Sequence, residues 1–252
     1  MSRPKAHVVV APDAAGVASA GARLWVDSVR QTPSERTVFS VALAGGKTPR
    51  ELYRTVAQQP DLDSAWHRTH VFFTDERAVD PRDARSNYRL ARESLLDDVP
   101  LSPAQVQRME GEGPDLESAA LAYESVLRTV LAPPPHAPPA LDLVFLGIGA
   151  DGHTASLFPS SSALDVRDRW VLAVDEKSAE PPRRLTLTLP VLSAAHRVVF
   201  VATGREKADI VARALESDRV ELPAARVQPA PGRLVWLLDE AAASGLTRTA
   251  RT

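Results

Sequence analysis

Proton transfer at neutral pH needs a group that ionises nearby, and one of the six histidines stands in a setting suited to it. His153 lies within Leu-Gly-Ile-Gly-Ala-Asp-Gly-His-Thr-Ala-Ser-Leu-Phe-Pro, from Leu146 to Pro159. An unperturbed imidazole titrates near ~6.5 and so serves as both acid and base. The surrounding glycines let the chain turn tightly, so that the imidazole projects into a cleft. Asp151 is close enough in sequence to orient it. Gly147 to Gly152 also match G-x-G-x-x-G, a dinucleotide signature that is weak when alone. Asp151 would put a carboxylate where a pyrophosphate should lie, and the segment is deep in the chain. His7, His67, His70, His136 and His196 lack such a setting and are read as structural.

Four other segments carry polar groups suited to a charged small molecule. Gly45, Gly46, Lys47 and Thr48 follow an apolar run and precede Pro49, a favoured early helical residue. Free amides at a helix start seat phosphate well. A Walker A loop would need Gly where Val41 stands, so a simpler phosphate fits better than a nucleoside triphosphate. An ordinary strand-to-helix turn also fits. Asp75 and Arg77, in Phe-Thr-Asp-Glu-Arg, suit sugar hydroxyls and an anion, or else a local surface ion pair. Arg184 opens an alternating Leu/Thr stretch. Lys207 follows Thr-Gly-Arg-Glu and falls in a first helical turn, where a cation is disfavoured unless an anion is near or the side chain reaches solvent.

Composition narrows the alternatives. No cysteine occurs, which excludes disulfides, thiolate metal sites and a thiol nucleophile. There is no G-x-S-x-G and no H-E-x-x-H, and His67 with His70 lacks a third ligand, so neither metal nor cofactor is expected. A net charge of −2 argues against nucleic acid. No run approaches the ~20 apolar residues of a membrane span. Met1 to Val10 carries no apolar core of signal-peptide length, and a cytoplasmic location is expected. Of 30 Lys and Arg residues only Lys5, Lys47, Lys177 and Lys207 are Lys, so a motif lysine does not come from a lysine-rich background.

These residues must be positioned by an alternation of short apolar runs and amphipathic stretches. Strands are predicted at 7–11, 37–43, 71–74, 141–148, 170–174, 185–189, 197–202 and 234–238. Helices are predicted at 14–30, 48–58, 86–96, 116–131, 206–215 and 240–246. The alternation implies an α/β fold with a mostly parallel sheet. In such sheets ligands sit beyond the carboxyl ends of the strands. With 44% hydrophobic residues the chain can build a full core. Residues 1–252 are read as one domain, with the Pro-rich stretch 132–140 as a surface connection.

Taken together, the motifs resemble those of the 6-phosphogluconolactonases. The resemblance rests on Gly-Gly-Lys-Thr-Pro, Phe-Thr-Asp-Glu-Arg with Ser-Asn-Tyr at 86–88, Asp-Gly-His-Thr-Ala-Ser-Leu-Phe-Pro, and Pro-Pro-Arg-Arg-Leu-Thr-Leu-Thr followed by Thr-Gly-Arg-Glu-Lys. It implies a Rossmann-like sheet with helices on both faces, shared with glucosamine-6-phosphate deaminases. It also implies a sugar-phosphate lactone substrate and His153 as acid/base. Gly45, Gly46, Thr48, Arg184 and Lys207 would surround the phosphate, and Asp75 and Arg77 would face the sugar acid. Lys47 stands where the family more often has Ser. Arg183 competes with Arg184 for the ligand. A deaminase would instead carry Phe-Asn-Glu-Pro after the histidine, and a sugar-phosphate sensor would carry a DNA-binding helix pair, which is not evident. A monomer or weak dimer is expected.

Overall fold

The computed structural model describes residues 6–217, 221–229 and 232–247. The expectations that reach residues 1–5 and 248–252 fall outside these. In chain order the elements are β1 (His7–Ala11), α1 (Ala14–Gln31), β2 (Phe39–Leu43), α2 (Lys47–Ala57), β3 (Thr69–Phe73), β4 (Asp75–Arg77), α3 (Asn87–Ser94), α4 (Leu116–Leu131), β5 (Leu143–Leu146), β6 (Val171–Asp175), β7 (Arg183–Leu187), α5 (Leu189–Ala194), β8 (Arg197–Ala202), α6 (Ala208–Glu216), α7 (Pro223–Arg226) and β9 (Arg233–Asp239). Short 3-10 turns connect several of them.

Six strands form a parallel sheet in the order β1-β9-β8-β5-β2-β3. Every residue of β2, β5 and β8 is buried. Successive strand side chains point to opposite faces, so this burial requires both faces of the sheet to be covered. The three strands β4-β7-β6 form a separate antiparallel sheet. It begins one residue after β3: the Thr74 N–H donates to the Leu43 carbonyl at 2.9 Å, and the Thr74 carbonyl accepts from Leu187 at 2.8 Å.

Side-chain caps explain where the long helices start. Asp13 accepts from the Gly16 N–H, and Asp115 accepts from the Ser118 N–H. Residues 132–140 form an irregular connection, exposed at Ala132, Pro134, Pro135 and His136 and buried at Pro139. Among the described residues no helix is long and apolar enough to cross a membrane.

Several predicted boundaries shift. The strand predicted at 185–189 ends at Leu187, because Pro190 belongs to the first turn of α5. The helix predicted at 240–246 is a 3-10 turn over Ala242–Gly245. The helix predicted from 206 opens with a 3-10 turn at Arg205–Lys207.

Candidate active site

From β2 the chain continues to β3 on one side of the sheet, whereas β5 leads toward β8 on the other. The loops leaving β2 and β5 therefore part at a switch in strand order, where α/β sheets open a crevice. A cleft of ≈340 Å³ lies there, lined by Gly45, Gly46, Asp75, Arg77, His153, Arg184 and Lys207 among others. Its size suits a small molecule. Seven residues singled out from the sequence thus meet on one wall.

The loop after β5 folds on itself. The Gly149 N–H donates to the His153 carbonyl at 2.8 Å, and the Thr154 hydroxyl donates to the Gly147 carbonyl at 2.9 Å. A Cβ on Gly149 would stand 2.1 Å from His153 Nδ1, so only glycine allows this approach. Asp151 is not on the cleft wall. It acts through the histidine: its Oδ1 lies 2.6 Å from His153 Nδ1 and accepts from the His153 N–H at 3.1 Å. A carboxylate at Nδ1 selects the tautomer with the proton there and leaves Nε2 as the basic atom. Partial burial pushes the Asp151 carboxyl up. The hydrogen bonds and charge of His153 outweigh that and hold it below its ordinary value.

Strand β4 carries Asp75 and Arg77 into register with Thr186 and Arg184 of β7. Arg77 and Arg184 are therefore direct cross-strand neighbours of like charge, an arrangement that favours an anion between them. Arg184 is buried and donates to the Pro181 carbonyl at 2.9 Å and the Glu180 carbonyl at 3.3 Å. Burial lowers its guanidinium below the ordinary value, with Asp75 opposing and Arg77 adding to the effect. Arg183 is exposed and donates to the Pro114 carbonyl, so Arg184 is the cleft residue of the pair. Arg77 donates to the Arg85 carbonyl at 2.5 Å, and its Nε is buried without a hydrogen-bond partner.

Asp75 differs from expectation. It lines the cleft but is buried, and its carboxylate already accepts from the Ser156 hydroxyl at 2.7 Å and from Asn87 Nδ2 at 3.1 Å. Its neighbour Glu76 accepts from the backbone of Arg77, Asn87 and Tyr88 and from the Ser86 hydroxyl. Burial pushes the Glu76 carboxyl up, and these four donors pull against it. Residue spacing assigns no role to Asn87 or Ser156. The signal for both was membership of the Ser-Asn-Tyr and Thr-Ala-Ser segments.

Lys207 also departs from expectation. Its ammonium donates to the Ile148 carbonyl at 2.8 Å, so a cation near a helix start has a protein acceptor on the His153 loop. Lys47 is exposed and off the cleft wall. Thr48 does not cap α2, whose N-cap is Gly46. It shares a 2.8 Å hydrogen bond with the Thr203 hydroxyl and ties the two loops together. The Ala44 N–H donates to the Tyr53 hydroxyl, which donates back to the Ala44 carbonyl and fixes the turn.

Known proteins resemble this chain in sequence and in fold. The family described as "Glucosamine-6-phosphate isomerases/6-phosphogluconolactonase" matches residues 12–236. A 6-phosphogluconolactonase of Rattus norvegicus is 42% identical over 207 residues, covering 81% of this chain and 79% of that protein. The solved 6-phosphogluconolactonase from Trypanosoma cruzi superposes with a TM-score of 0.85 at 28% identity, covering 98% of each chain. A monomeric glucosamine-6-phosphate deaminase shares the fold, with a TM-score of 0.74 at 21% identity over 95% of this chain and 99% of that one. A profile that matches most of the chain, joined to that level of identity, decides the assignment: the chain belongs to the glucosamine-6-phosphate isomerase/6-phosphogluconolactonase family.

Proposed function

We propose that this chain hydrolyses 6-phospho-D-glucono-1,5-lactone to 6-phospho-D-gluconate, a step of the oxidative pentose phosphate pathway. The observation that carries the reading is the meeting in one cleft of His153, held at Nδ1 by Asp151, with the cations Arg77, Arg184 and Lys207. A lactone is an activated ester, so water can attack it without a covalent enzyme intermediate. Neutral His153 takes a proton from water at Nε2 as the oxygen bonds to the ring carbonyl. Arg77 stabilises the resulting tetrahedral oxyanion. The bond from the carbonyl carbon to the ring oxygen then breaks, and the imidazolium protonates that departing oxygen. General acid–base catalysis of this kind typically contributes ~100- to 10,000-fold.

In this reading the Gly45 and Gly46 turn, Arg184 and Lys207 hold the phosphate and supply orientation rather than chemistry. The same reading takes residues 1–252 as one domain, working in the cytoplasm as a monomer or weak dimer without nucleic-acid or membrane partners. The test is hydrolysis of freshly generated 6-phosphogluconolactone against its spontaneous opening. The reading predicts a rate that rises with enzyme concentration and a clear preference for the phosphorylated over the unphosphorylated lactone. A rate equal to spontaneous opening rejects the activity, and equal handling of the two lactones rejects the phosphate assignment.

A further inference from the structure

Resting on the hydrolase reading above, we propose that Phe158 is a positioning residue of this cleft. Its ring carries the His153 imidazole and the Arg184 guanidinium together and sets the distance between the proton-transferring end of the site and its cationic end. The Phe158 and His153 ring centroids are 4.6 Å apart with a tilt of 35°. The Arg184 guanidinium carbon lies 5.6 Å from the centroid of the same Phe158 ring.

The ring is held in place. Phe158 is 4% exposed, and the segment before it is bound to both strands that carry the polar wall. The Ser156 N–H donates to the Thr186 hydroxyl of β7 at 3.1 Å, and the Ser156 hydroxyl donates to Asp75 of β4. Leu157 donates to the Thr154 carbonyl at 2.9 Å, which closes the turn that starts beside His153.

A buried phenylalanine is ordinarily core, and a leucine or methionine would fill much of the same space. What they lack is the negative π face. Arg184 forms no ion pair among the described residues and donates to backbone carbonyls, so the Phe158 face adds to the more distant charges of Asp75 and Glu180 in compensating it. In the proposed cycle His153 gains a positive charge against that same ring. Phe158 then faces two cations in the step where catalysis is decided.

The experiment replaces Phe158 with mono-, di- and trifluorophenylalanine, which drain the ring face at nearly constant volume, and with Leu and Met. The proposal predicts that log kcat/KM for the phosphorylated lactone falls stepwise with fluorination. It predicts that Phe158→Leu loses about threefold to thirtyfold, the worth of one cation–π contact between its exposed and desolvated limits. With the phosphorylated lactone the loss divides between a lower kcat and a higher KM; with unphosphorylated gluconolactone only kcat falls. Thermal melts identify a Leu variant that has not folded, and Phe158→Met then takes its place. A flat fluorination series in an active enzyme overturns the proposal and leaves the hydrolase reading standing. Absence of wild-type turnover removes both.

Discussion

Gly45→Ala is expected to damage the protein through one identifiable collision. A Cβ on Gly45 would stand 1.8 Å from Asn87 Oδ1 and 2.5 Å from its Cγ. Both atoms belong to a side chain, but that side chain is not free to swing away. Asn87 is buried, and its Nδ2 donates to the Asp75 carbonyl at 2.9 Å and to the Asp75 carboxylate at 3.1 Å. The overlap must therefore be relieved by shifting backbone or by breaking bonds to Asp75. Overpacking of this kind costs about 1–3 kcal/mol. A hydrogen bond to a charged group is worth about 1.5–3 kcal/mol. These are alternative routes rather than additive ones, so a net loss of about 1–3 kcal/mol is expected, or roughly 2–12 °C in Tm for a chain of this size. The assay is urea unfolding of a double-mutant cycle with Asn87→Ala. In the Asn87→Ala background the added methyl has room, and Gly45→Ala should cost less than about 1 kcal/mol. An equal cost in both backgrounds, or a Gly45→Ala variant as stable as the wild type, would refute the reasoning.

Other consequences follow from the same geometry. Lys207→Ala removes a cation and its tie to Ile148, and KM for the phosphorylated lactone should rise about ten- to hundredfold while kcat changes less; steady-state kinetics checks it. Asp142, at the opposite end of the sheet, accepts from Arg36 and from the Ser40 N–H and hydroxyl. Asp142→Ala should cost about 2–4 kcal/mol in urea unfolding while kcat per folded molecule holds. The folded Asp151 carboxyl lies below its ordinary value, so its contribution to stability is full above the ordinary aspartate range and is lost as pH falls through the lowered value. The gap between the urea midpoints of wild type and Asp151→Asn should accordingly hold from about pH 7 to about pH 5 and close progressively as pH falls below about 4.

Much of this architecture is legible in the residues, for reasons of burial and capping. β5 shows itself because a strand covered on both faces is apolar at every position, and α1 and α4 show themselves by periodicity and an Asp at the N-cap. β4 is different: its three residues are Asp, Glu and Arg, and they form a strand only because β7 arrives from more than a hundred residues away in sequence. The cluster on the cleft wall is legible as residue types at the ends of apolar runs. Which atoms are already engaged is not, since spacing does not reveal that Asp75 is held by Ser156 and Asn87 or that Lys207 reaches Ile148. Thr48 has the right residue type for a cap, but the N-cap of α2 falls two residues earlier, at Gly46, and the Thr48 hydroxyl turns to Thr203.

The central claim is that one imidazole moves the proton in lactone opening. It is tested most directly by the turnover number of His153→Ala on freshly prepared 6-phosphogluconolactone, corrected for spontaneous opening, beside its affinity for the product. The account predicts a loss of at least about 100-fold in turnover with product binding retained. Unchanged turnover would contradict it.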